Sequence, residues 1–272
     1  MVRCNVSVVR KQPPLYLTKS PLVFVLAQVK FAPILKMSDY VPGIQEKLRK
    51  AGFPGYELRT TQEITFGPSL LKLESKRWFF FDRDRASSFI LANDFGVLTT
   101  RKYDRFEQFA EILRRVLGIL GEDSAPAFSD RLGLRYVDLI REAEGESFRD
   151  YLHESLHGLS AAGLQAKSTL VQSYTNAETD QGVLSVRIWQ NRDGKPLPPD
   201  IEVDEFSQES RNLRQGELLT VLDIDHFSEL RRDFEVDLLM NSMSALHDGS
   251  DRAFRACVTD VALRRWGNKG NS

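Results

Sequence analysis

The sequence predicts an α+β protein, with helices packed on one side of mostly antiparallel sheets and two strand-and-helix lobes joined in one globule. Three observations carry that class. Runs rich in β-branched and aromatic residues alternate with period two and end at Gly, Pro, Asn or Asp. Longer segments between them carry apolar residues every three or four positions. The chain has 272 residues, 42% of them hydrophobic and 28% charged, enough to bury a sizeable core. The expected division is an extended or disordered tail over 1–18, an N-terminal lobe over 19–160 and a C-terminal lobe over 161–268 with a mobile insertion at 191–216.

The elements follow in order. Pro13-Pro14 form a stiff lead-in, and the apolar run from Pro21 to Ile34 reads as a buried strand closed by Pro33. A helix is expected from Ser38, with Val41, Ile44 and Leu48 on one face, stopped by Gly52 and Pro54. Tyr56 to Phe66, Trp78 to Phe81, Phe89 to Leu91 and Val97-Leu98 read as an antiparallel meander. Next comes a helix capped by Asp104, with an apolar stripe from Phe106 to Leu120. Arg131 to Val137 alternates as a strand, placing Leu132, Leu134 and Tyr136 on one face and Arg131 and Arg135 on the other, beside Gly133. Ser147 and Asp150 form a capping box for about three helical turns that end at Gly158. Thr169 to Tyr174 and Val183 to Trp189 predict a hairpin with a long loop. Leu218 to Phe227 alternates, with Leu222, Ile224 and His226 opposite Val221, Asp223 and Asp225. The C-terminal region reads as helical with a break near Asp248-Gly249-Ser250.

The 37 Lys+Arg and 38 Asp+Glu residues give a net charge of −1, which offers no electrostatic footprint for duplex nucleic acid. Cys4 and Cys257 are too few for a disulfide framework, which points to a reducing, cytoplasmic setting. No apolar run approaches the ~18 residues of a membrane span, and the first residues resemble neither signal peptide nor anchor.

The sharpest motif is His153-Glu154-Ser155-Leu156-His157. On a helix, H-E-x-x-H places two imidazoles on one face for a zinc ion and a glutamate for its bound water. His153 and His157 are therefore the alternative metal ligands and Glu154 the alternative catalytic base of a zinc-dependent hydrolase. Against that reading, no downstream His stands at the expected spacing, and Glu178, the conceivable third ligand, falls in a predicted hairpin loop. The reading preferred from the sequence has no cofactor, with two surface imidazoles on an amphipathic helix. Arg131 and Arg135 are candidate ligand-binding residues, since two guanidiniums about 7 Å apart suit a phosphate or carboxylate. The competing expectation pairs them with Asp223 and Asp225 on a neighbouring strand. Trp78 to Phe81, beside Arg77, Arg83 and Arg85, reads as a strand covered on both faces rather than a base-stacking platform. His226 after Asp225 and His247 before Asp248 suggest acid-base chemistry only weakly, and surface or packing roles are preferred for both. There is no phosphate loop and no nucleophile elbow.

The segments PLVFVLAQVKFAPI, RLGLRYVDLI, LLTVLDIDHF and AFRACVTDVALRRWG resemble, in matching order, a sporadically distributed prokaryotic family of uncharacterised function. The similarity spans Pro21 to Gly267. It implies no catalytic residue, and His153 and His157 match none of the family's motifs. Its distribution implies use linked to mobile elements or defence. Together these readings predict a non-enzymatic protein-interaction or ligand-binding module, whose partner is another protein rather than nucleic acid or membrane. The alternatives are the zinc hydrolase and an anion or nucleotide binder using Arg131 and Arg135.

Overall fold

A computed structural model describes residues 15–65, 71–192, 194–198, 200–201 and 216–267, with backbone only for 61–65 and 71–74. Residues 1–14 of the expected tail and most of the 191–216 insertion lie outside the described residues. The chain folds as α+β, as predicted. Its strands are β1 (Leu22–Phe31), β2 (Gly55–Thr65), β3 (Leu71–Phe81), β4 (Ser87–Leu91), β5 (Phe95–Thr100), β6 (Phe128–Ile140), β7 (Gln172–Thr179), β8 (Gly182–Asn191), β9 (Leu219–Ser228) and β10 (Arg232–Asp233). Its helices are α1 (Met37–Lys50), α2 (Phe106–Ser124), α3 (Phe148–Tyr151), α4 (Val236–Cys257) and α5 (Asp260–Arg265).

Among the described residues, the ten strands join one antiparallel sheet in the order β2-β3-β4-β5-β1-β6-β9-β8-β7, with β10 on β6. Each half repeats one plan: a strand, a helix, a meander whose last strand returns beside the first, then a covering helix. The halves meet where β1 pairs antiparallel with β6, from Leu22 opposite Asp138 to Phe31 opposite Ser129. Within the sheet, β6 lies between β1 and β9, so a strand of the expected 19–160 lobe is hydrogen-bonded directly to one of the expected 161–268 lobe.

Alternation along the strands assigns the two faces. Val25, Ala27 and Val29 of β1, Trp78 and Phe80 of β3 and Leu132, Leu134 and Tyr136 of β6 pack with the apolar stripes of α1, α2 and α4 in the main core. A second core on the same side joins Leu222 and Ile224 of β9 to α3, α5 and the C-terminal half of α4. The helices therefore share one face. Over the other face, the described part of the expected insertion lays Leu197 and Ile201 on Phe24, Val137, Leu139 and Val221.

Four local expectations are corrected. The helix predicted to begin at an Asp104 cap starts at Phe106, behind an extended Arg105 that makes no side-chain cap bond. The expected long loop of the β7–β8 hairpin is instead strand, leaving only Asp180 and Gln181 between the two. Polar residues are tolerated there because β7 is an edge strand with most side chains in solvent. Nor is the C-terminal helix broken: α4 runs unbroken through Asp248-Gly249-Ser250. Gly249 is the point where His226 packs against it, since a Cβ there would lie 2.4 Å from His226 Cε1.

The fourth correction concerns H-E-x-x-H, which is not on a helix. The capping box of Ser147 and Asp150 forms as predicted, but α3 ends at Tyr151. Leu152 then turns extended (φ −105°, ψ 149°) and bridges Val258, and Glu154–Leu156 is a single 3₁₀ turn. With Leu152 buried in the second core, the helix stops at Tyr151, before either histidine of the motif.

Candidate functional site on the open face of the sheet

Opposite the helices, the sheet forms a half-open groove of about 390 Å³ centred on the β1–β6 seam. Its floor comes from alternate residues: Phe24, Leu26 and Gln28 of β1, Ile90 of β4, Val97 and Thr99 of β5 and Gly133 of β6. Gly133 keeps the floor low, because a Cβ there would stand 3.0 Å from an Arg131 guanidinium nitrogen. One flank carries Phe79 and Phe81, each beneath a guanidinium at 4.0 Å, Arg59 over the first and Arg85 over the second. Glu57 ties both arginines, to Arg59 at 2.9 Å and to Arg85 by a shorter contact.

The other flank is a lattice of arginines and aspartates. Arg135 donates to both oxygens of Asp223, from Nε at 2.7 Å and Nη2 at 2.8 Å. It also grips Asp200 of the overlying segment, at 2.8 and 3.0 Å. Arg187 of β8 reaches the same acids more loosely, at 3.3 Å to Asp223, 3.7 Å to Asp225 and 3.7 Å to Asp200. Its Nε, although buried and closest to Asp223, lacks the angle for a hydrogen bond. Arg131 donates to Gln28 Oε1 at 2.5 Å, lies 4.5 Å over the Phe227 ring and is 3.9 Å from Asp225.

Burial sets the electrostatics. It works against the charge of Arg135, yet hydrogen bonds and charge from Asp223 and Asp200 together outweigh it and hold the guanidinium above its ordinary pKa. Arg135 in turn holds Asp200 below the usual carboxylate range, whereas burial pushes Asp225 up despite Arg135 and Arg131 nearby. The two arginines predicted from the β6 alternation thus share a face and a groove. Each also meets one of the predicted aspartates, but by the diagonal: Asp225 stands opposite Arg135 in register, while Arg135 bonds Asp223.

Other sequence candidates fall elsewhere. His153 caps the 3₁₀ turn, accepting from the Ser155 amide at 3.3 Å. His157 Nε2 donates to the Leu152 carbonyl at 2.7 Å, with its ring edge-on to Phe148. The two imidazoles are therefore committed to separate local contacts. Among the described residues, no three His, Cys, Asp or Glu side chains are grouped to hold a metal ion. His226 bonds Leu246 O and Thr179 Oγ1, both at 2.9 Å, and His247 stacks on Phe106 at 4.1 Å.

Sequence reasoning missed two parts of the groove. Phe79 and Phe81, taken as covered on both sides, lie on the open face, so only Trp78 and Phe80 of that run are core. Asp200 escaped notice because its role depends on a segment folding back over the sheet; nothing local marks that. Comparison with protein-family models and with curated proteins finds no match.

Proposed function

We propose that the chain is a non-enzymatic binding module, and that the open-face groove takes a segment of a partner protein. The observation that supports this reading is the pairing of the groove's charges. Arg135, Asp223 and Asp200 satisfy one another, and among the described residues of the groove no nucleophile stands beside an available base, which supports recognition rather than bond making. Apolar floor residues between guanidiniums stacked on Phe79, Phe81 and Phe227 suit a polypeptide segment that offers apolar side chains and a carboxylate. An anion or nucleotide reading rests on Arg131, whose acidic neighbour Asp225 is distant at 3.9 Å, since Arg135 is already held by two carboxylates. The resemblance to a sporadic prokaryotic family adds an expected link to mobile elements or defence.

Gly133→Leu, which raises the groove floor without touching the helix-side core, tests the reading. A partner recovered with the wild type and lost with the folded variant supports it. Equal recovery by both would sink it. Nucleotide binding that disappears in Arg131→Ala while partner recovery persists would favour the anion reading.

A further inference from the structure

On the opposite side of the sheet, independent of the groove, a second cavity of about 170 Å³ opens where β6 passes beneath α4. That is roughly ten times the space one water needs. Asp138 of β6 lines it. This side chain is 3% exposed, and among the described residues it has no hydrogen-bond or ion-pair partner. A carboxyl in that position is costly unless something answers it, because burial without a partner forfeits its hydration.

The rest of the lining narrows what that partner can be. Asp104, ahead of α2, and Asp251, on α4, add two more carboxyls, and no lysine or arginine is among the described residues of the lining. Tyr103 and Tyr136 meet edge to face at 5.7 Å, the Tyr136 hydroxyl is bonded to His247 Nδ1 at 2.8 Å, and Phe254 supplies a further ring. Acid surrounded by aromatic rings recognises a cation through charge and ring faces together. The acids are not grouped as a metal centre among the described residues. We propose that this cavity binds a small organic cation, a protonated primary amine, with Asp138 as its counter-ion.

The proposal carries a proton linkage. Burial, reinforced by the charge of Asp223, pushes the Asp138 carboxyl up to about 8. The groups that face or influence it are Tyr103 and Asp104 before α2, Tyr136 on β6, Asp223 on β9, and His247, Asp251 and Cys257 on α4. Arg255 pairs with Asp251 at 2.8 Å. Below that pH the empty cavity holds a neutral acid, so an ammonium ion must displace its proton. A primary amine itself remains charged to about pH 10. Affinity should therefore tighten roughly a hundredfold between pH 6 and pH 9, with a proton released on binding at the lower pH.

Calorimetric titration of the full chain with 1,4-diaminobutane, against sodium chloride at equal ionic strength, tests this. Expected are saturable binding at pH 9, weakening towards pH 6, and a loss of at least tenfold in Asp138→Asn, which is isosteric. Asp251→Asn, at a different position in the lining, should weaken binding severalfold and gives a second reading if the first variant misfolds. No binding by the wild type at pH 9, or equal binding by either folded variant, overturns the proposal.

Discussion

Arg135 shows how one side chain decides between two readings of the same pattern. Its guanidinium is filled by Asp223 on one edge and Asp200 on the other, so the pair of strand arginines is first a structural brace and only second a candidate clamp. Removing one partner leaves a buried charge uncompensated, and Asp223→Ala should cost about 3–5 kcal/mol in chemical denaturation. A double-mutant cycle with Arg135→Met should show coupling above about 1 kcal/mol; additivity within ~0.5 kcal/mol would remove the brace. For His153 and His157, whose ring nitrogens serve local contacts, His153→Ala should leave the metal content of untagged protein unchanged. Zinc that is near-stoichiometric in the wild type and lost in the variant would restore the hydrolase. Asp138 makes a further prediction about stability. Its carboxyl is raised when folded, from an ordinary 3.8 to about 8. The unfolded chain therefore gives up this proton first as pH rises, so its stabilising contribution is complete below about pH 4 and is lost as pH climbs towards 8. Asp138→Asn should lack that loss, gaining on the wild type by a few kcal/mol at pH 8 relative to pH 4. Parallel stability profiles for the two proteins would contradict it.

Among the elements, α4 and the 148–157 segment failed their sequence readings for related reasons. Gly249 looks like a break because glycine is weak in helix interiors, but tertiary contact with His226 needs the missing Cβ. Gly249→Ala, normally stabilising in a helix, should here destabilise by about 1–3 kcal/mol, read as a lowered thermal midpoint. A raised midpoint would show that His226 moves aside freely. The H-E-x-x-H stretch looks helical because its caps are correct, yet Leu152 is drawn into the second core and into a bridge with Val258, which costs the chain its helix. Elements whose apolar period is unambiguous were legible: β1, β6, β9, α1 and α2 all stand within a few residues of their expected places. The same period supplied half of the groove, since Arg131 and Arg135 had to share a face. The aromatic half was hidden, because Trp78 to Phe81 reads the same whether one face of β3 is open or both are covered.

In the whole molecule, the decisive contact is the β1–β6 seam. It joins residues about a hundred positions apart and makes one sheet of what the sequence suggests as two lobes. Leu132, Leu134 and Tyr136 of β6 complete the core built by α1 and α2, with Leu239, Met240, Met243 and Leu246 of α4. Residues 15–126 expressed alone should therefore lack cooperative unfolding and native-like amide dispersion, while the full chain unfolds in a single transition. A folded fragment would show that the halves are independent.

By itself, the sequence determined the α+β class, the strand and helix periods, the split of β6 and β9 into an apolar and a charged side, and the few charges available for pairing. These are properties of neighbouring residues, set by side-chain alternation and by the apolar area each stripe must bury. The tertiary structure decided that Leu197 and Ile201 lie over the face opposite the helices, that Arg135 bonds Asp223 diagonally, and that Asp138 is buried beside α4 with no hydrogen-bond or ion-pair partner among the described residues. Those outcomes depend on which distant surfaces meet. A period-two strand specifies two faces but not which of them will be covered, because the free energy of covering either face resides in the element that arrives there.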